Sequence, residues 1–166
     1  MKRMTVALAV GALLLGGAAT ASATPAGSKV PAEIKVPDGN RPLATYFGEG
    51  VQIYGCTNGA WALIQPAAVL SKHGNPVAIH GKGPVWTSTV DGSTVGAAAV
   101  ANSPRDGAIP QLLLKANLNT GDGIFGKVTY IQRLNTRGGV APAGACAAGA
   151  QTAVRYSADY AFWVAK

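Results

Sequence analysis

The chain has 166 residues, 48% hydrophobic and 13% charged, with 22 Gly, 10 Pro and a formal net charge of +7. That composition excludes a charge-driven disordered chain, a collagen-like repeat and a mini-protein that needs several staples to fold. The cations are spaced singly from Lys29 to Lys166, which excludes a basic nucleic-acid motif.

The N-terminal segment reads as a leader. Lys2 and Arg3 precede an apolar run from Met4 to Ala19, and Ala21-Ser22-Ala23 offers small residues at the positions a signal peptidase reads. The run is shorter than the ~20 residues a spanning helix needs. Residues 1–23 are therefore expected to be a signal peptide cleaved after Ala23, leaving 143 of the 166 residues in a secreted, extracellular chain with no membrane span. Lys2 and Arg3 leave with it, so 12 Lys and Arg face 7 Asp and Glu in the mature chain. That balance serves solubility, and it also suggests cell-envelope glycans or other anionic polymers as partners.

Residues 24–42 carry Pro25, Pro31, Pro37 and Pro42 and read as an extended arm, with Ile34-Lys35-Val36 as an edge strand. Residues 43–166 read as one β domain. Val51 and Ile53 alternate with Gln52 and Tyr54, and Val154, Tyr156, Ala158, Tyr160, Phe162 and Val164 alternate with Arg155, Ser157 and Asp159. Further strands are predicted at Trp61 to Ile64, Val77 to His80, Val85 to Val90, Thr94 to Val100, Leu112 to Asn117 and Phe125 to Leu134. Only Pro66 to Lys72 has helical composition, enough for a short helix at most. Gly138 to Thr152 reads as a long loop. The fold class these signals predict is all-β: an antiparallel sandwich or a small barrel with at most one or two short helices.

Cys56 and Cys146 are the two cysteines, and in an oxidising compartment an even count most simply means one disulfide. Two buried free thiols are the alternative. No metal site is expected, because His73 and His80 are seven residues apart and no His-Glu-x-x-His occurs. Four of the seven carboxylates precede glycine, at Asp38, Asp91, Asp106 and Asp122, where Asp-Gly builds turns rather than active sites. Asp159, on a strand with Arg155, is the best-placed carboxylate for chemistry, although a surface pair with Arg155 accounts for it better. His80 opens the turn His80-Gly81-Lys82-Gly83-Pro84, whose glycines let a ligand approach the backbone. Trp86 follows, on a face with Ser88 and Val90, where an exposed indole would stack on sugar rings. No Gly-x-Ser-x-Gly, dinucleotide fingerprint or cofactor motif is present.

A set of segments in fixed order goes further: Gly50-Val51-Gln52-Ile53-Tyr54-Gly55-Cys56, Gly83-Pro84-Val85-Trp86, Asp91-Gly92-Ser93-Thr94-Val95, Ile109-Pro110-Gln111-Leu112-Leu113-Leu114, Gly121-Asp122-Gly123-Ile124-Phe125, Tyr130-Ile131-Gln132-Arg133 and Thr136-Arg137-Gly138-Gly139-Val140-Ala141-Pro142 before Cys146. Over about Ile34 to Trp163 the chain resembles the family catalogued as domain of unknown function 3455. The resemblance implies a secreted bacterial or fungal protein without an assigned activity. Gln111 stands where that family usually shows Trp, and Ile79-His80-Gly81 lacks the aromatic expected after the His.

The sequence therefore predicts a non-catalytic binding or structural protein of the cell envelope or extracellular space, with His80, Trp86 and Asp159 as binding candidates and no cofactor. The alternative is a small extracellular hydrolase acting on polysaccharide through Asp159.

Overall fold

The computed structural model describes residues 30–166, so the expected signal peptide lies outside the described residues. Eight antiparallel strands follow one another: β1 (Asn40–Thr57), β2 (Ala60–Lys72), β3 (Asn75–Gly81), β4 (Val85–Ser88), β5 (Thr94–Ser103), β6 (Gln111–Thr120), β7 (Val128–Gly138) and β8 (Gln151–Ala165). Each pairs with the next, and β8 returns to β1 from Asn40↔Ala165 to Gly55↔Gln151, closing a barrel. Closure leaves the sheet no free edge.

Eight strands enclose an interior that side chains just fill, or that holds one small ligand. Both occur here. Along β8 the predicted alternation puts Tyr156, Ala158, Tyr160, Phe162 and Val164 inside. These meet Leu70, Ala78, Trp86, Val95, Leu114 and Ile131 from the other strands. Long strands bend around so small a barrel only where bulges or missing side chains allow it. Register shifts occur at Ile53/Tyr54 in the β1–β2 ladder and at Leu134/Arg137 in the β7–β8 ladder. Gly48 serves the same end, since a Cβ there would stand 2.6 Å from the Tyr160 ring.

Several expectations are corrected. Pro66 to Lys72 is strand, not helix: Ala68 and Leu70 point into the core, with ladder partners on β1 and β3. Period-two burial with a partner on each side outweighs the weak helical preference of Ala and Leu. On β1 the half-buried face is reversed, because Gln52 and Tyr54 are buried while Val51 and Ile53 are only partly covered. The pairings Tyr46↔Tyr160 and Gly50↔Tyr156 turn the even-numbered residues of β1 inward, and a strand's faces cannot be exchanged without slipping its register.

The arm before β1 is not an edge strand at Ile34-Lys35-Val36. Ala32–Ile34 forms a 3-10 turn that buries Ile34 completely, and Gln132 Nε2 donates to the Ile34 carbonyl at 2.6 Å. Asn40 to Pro42 belong to β1 rather than to the arm. The strand expected at Val85 to Val90 ends at Ser88, and Val90 is 70% exposed in the turn beyond it.

The two ends of the barrel are covered to different extents. At the end holding the β4–β5 and β6–β7 loops, Phe125 fills the interior with no exposed surface. Asp91, expected to make a turn, makes it and ties both loops together. It accepts from Ser93 Oγ at 2.6 Å, Ser93 N at 2.9 Å and Ile124 N at 2.9 Å. Those donors hold its carboxyl down to about 2, led by the Ser93 hydroxyl and then the Ile124 amide.

At the other end, the loop between β7 and β8 is pinned by the Cys56–Cys146 disulfide, with Cα atoms 5.7 Å apart. Gly138 and Gly139 carry this loop off the wall with φ of +62° and +78°, a conformation that suits glycine. Tyr54 Oη donates to the Gly139 carbonyl at 2.5 Å, covering part of the opening.

Candidate functional site

Antiparallel order brings the ends of β1, β3, β5 and β7 together with the starts of β2, β4, β6 and β8. At that end a cavity of about 240 Å³ opens beside the pinned loop. Its apolar wall comes from Ile64 and Pro66 on β2, Pro84 before β4, and Leu112 and Leu114 on β6. Its polar lining comes from Gln52, His80, Arg133 and Tyr160, with the Trp86 indole beside them.

His80 and Trp86 are cross-strand partners on β3 and β4, which puts both rings on the inner face. The rings stack with centroids 4.2 Å apart and planes 2° from parallel. Tyr160 presents its ring edge-on to both, at 5.3 Å and 5.7 Å. The Val85 carbonyl lies 3.0 Å from His80 Nδ1. A carbonyl only accepts, so Nδ1 carries the proton and Nε2 keeps its lone pair. Burial lowers the His80 pKa to about 4, an effect to which the Arg133 charge adds, so the imidazole is neutral at pH 7.

This has a measurable consequence. The folded pKa of about 4 lies below the unfolded value of 6.5, so the unfolded chain binds the proton more readily in between. Stability is fully present above pH 6.5 and is expected to fall by on the order of 3 kcal/mol as the pH drops to 4. Urea melts of wild type and His80→Gln at pH 7 and pH 4.5 check it. The wild type should lose more stability between the two pH values than the variant, and equal losses would remove His80 as the source.

Tyr160 hydrogen-bonds Tyr156, hydroxyl to hydroxyl, at 3.0 Å, and burial raises its pKa well above the ordinary value, so the phenol stays protonated. Arg133, on β7, donates from Nε and Nη2 to the Pro110 carbonyl at 3.1 and 2.9 Å. A guanidinium has five N–H groups, so this anchoring fixes its plane and leaves donors over.

Among the described residues, two side chains in the lining are incompletely paired. Gln52 is 2% exposed, and neither its Oε1 nor its Nε2 finds a hydrogen-bond partner. Trp86 is 1% exposed, and its Nε1–H is likewise unpartnered. An unmade hydrogen bond of this kind costs about 1–3 kcal/mol. Buried polar groups in folded proteins are nearly always paired, and exceptions ask for a reason.

The three candidate residues separate. His80 and Trp86 meet at the cavity. Trp86 is interior and so offers no surface platform for a sugar ring. Asp159 sits on the outer face of β8, where its carboxylate accepts from Asn135 Nδ2 at 2.7 Å, and it is not among the residues that line the cavity. Gln52 and Arg133 escape sequence reading: a glutamine between Val51 and Ile53 looks like the wet face of a strand, and Arg133 looks like one more isolated cation. The usable signal is the run Tyr46, Gly48, Gly50, Gln52, Tyr54, whose aromatic ends mark the inward face.

Among the described residues no group of three or more His, Cys, Asp or Glu is placed to hold a metal ion, and no helix is long and apolar enough to cross a membrane.

Residues 70–164, more than half of the chain, match the family described as protein of unknown function (DUF3455). The chain belongs to that family. No curated protein and no solved structure matches it. The matched segment runs from late β2 to the end of β8, so it takes in His80, Trp86, Arg133 and Tyr160 but not Gln52.

Proposed function

We propose that the protein is an exported, non-catalytic binding protein that holds one small molecule in the open end of its barrel. The observation that carries this reading is the cavity of about 240 Å³ lined by Gln52 and Trp86, both buried with polar atoms unpartnered. A ligand supplying their partners recovers hydrogen bonds that folding left unmade. The volume suits one compact molecule, since an engineered cavity of roughly 150 Å³ holds benzene. Export is supported by the leader signature of residues 1–23. The excess of Lys and Arg supports weak attraction to anionic envelope polymers, which would keep the binder near the cell.

The polysaccharide hydrolase reading has less support. Its carboxylate, Asp159, lies on the outer wall with Asn135, and among the described residues no Asp or Glu lines the cavity.

A thermal-shift screen of the oxidised protein against compact polar-apolar molecules tests the proposal, because a compound that binds only the folded state raises Tm. Ala99 stands exposed at the cavity rim, so Ala99→Phe should block entry without disturbing the core. Hits should raise Tm in wild type and lose that effect in Ala99→Phe. Shifts that persist unchanged in the variant would place binding elsewhere and overturn the proposal.

A further inference from the structure

We infer that the ligand of this cavity is a small organic monocarboxylate with a compact apolar body, its carboxylate held by Arg133 and its body against Ile64, Pro66, Leu112 and Leu114. This rests on the binding reading above and adds the chemical class of the ligand.

Charge is the first argument. Among the described residues Arg133 is the one charged side chain in the cavity lining, and neutral His80 does not add to it. A single guanidinium with no carboxylate beside it, set in an apolar wall, attracts one negative charge and repels a cation. Its plane is already fixed by the Pro110 carbonyl through Nε and Nη2 and by a hydrogen bond with the Tyr160 side chain, so the N–H donors that remain are pre-organised for an acceptor pair. A carboxylate is such a pair.

The polar inventory is the second. Trp86 Nε1–H and Gln52 Nε2 are donors without partners. A hydrocarbon would fill the space and leave both unmade, whereas carboxylate oxygens accept from such donors as well as from Arg133.

Size and wall settle the rest. About 240 Å³ admits roughly ten heavy atoms on the scale that fits benzene into about 150 Å³, which is too small for a nucleotide or an oligosaccharide. The aliphatic wall gives a bare inorganic anion nothing to replace its hydration, so an apolar body is needed beside the charge.

Benzoate, with its neutral isostere benzamide and the hydrocarbon toluene, is the probe set, titrated calorimetrically into the oxidised protein at pH 7. Benzoate should bind at least about tenfold more tightly than benzamide, with toluene weaker still. Arg133→Gln should lower benzoate affinity at least about tenfold and leave benzamide within about twofold. Arg133→Lys, which keeps the charge but loses the fork, should fall between. If Arg133→Gln does not fold, the benzoate-to-benzamide ratio of the wild type decides alone. Benzamide or toluene binding as tightly as benzoate would overturn the carboxylate assignment while leaving a binding cavity. Failure of all three probes would overturn the monocarboxylate assignment, and the thermal-shift screen with Ala99→Phe decides the binding reading separately.

Discussion

Reducing the Cys56–Cys146 disulfide is expected to lower folding stability by about 4 to 5 kcal/mol. The bridge joins residues 90 apart in sequence, and the chain-entropy cost of holding so long a loop closed in the unfolded state is the source of that figure. In the folded protein the bridge has company. Cys146 N donates to the Gly59 carbonyl at 3.1 Å, and Cys56 N donates to the Ala150 carbonyl at 2.9 Å, so the β7–β8 loop also lies against the β1–β2 hairpin through its backbone. Urea unfolding of the oxidised protein, the dithiothreitol-reduced protein and Cys56→Ala/Cys146→Ala measures the effect. Stability should drop while the m-value rises, because the reduced unfolded chain exposes more surface. A loss under about 1 kcal/mol would mean that the backbone contacts alone hold the loop, or that the reduced unfolded chain stays compact.

The second large effect is expected at Trp86. Its indole stacks on His80, meets Tyr160 edge-on and lies perpendicular to Phe162 at 6.2 Å, so Trp86→Ala opens a void among three aromatic neighbours. The expected cost is about 3–5 kcal/mol, as for other large-to-small changes in a core. Trp86→Phe separates packing from hydrogen bonding. It keeps most of the ring contact and removes an N–H that no protein atom satisfies, so it should cost much less than the alanine change. Chemical denaturation of both variants reads the difference. Equal losses would show that the indole N–H has a stabilising partner, which would weaken the case for a ligand at that atom.

Local pattern carried much of this architecture. The alternation from Val154 to Val164 needs no knowledge of the partner strands to predict a half-buried strand, and that strand is β8 with the expected residues inside. Asp91-Gly92 marks a turn because an Asp side chain bonds its own backbone and glycine accepts positive φ, here +74°. The cysteine count anticipated the bridge that the structure contains. An all-β class with a barrel among its alternatives was legible from turn spacing alone.

Everything that depends on which strand lies beside which was out of reach of local pattern and was settled by the fold. Closure of β8 onto β1 chose barrel over sandwich and turned Gln52 inward, against the reading of Val51 and Ile53 as the buried pair. Pairing with β1 and β3 made Pro66 to Lys72 a strand where composition suggested a turn or two of helix. The cavity is of the same kind. His80 and Trp86 are near in sequence, but Gln52, Arg133 and Tyr160 join them from β1, β7 and β8, and Asp159 is carried to the opposite face of the wall from its neighbour Tyr160. A period-two sequence states that a strand has two faces, while the hydrogen-bond register with distant strands assigns one of them to the interior.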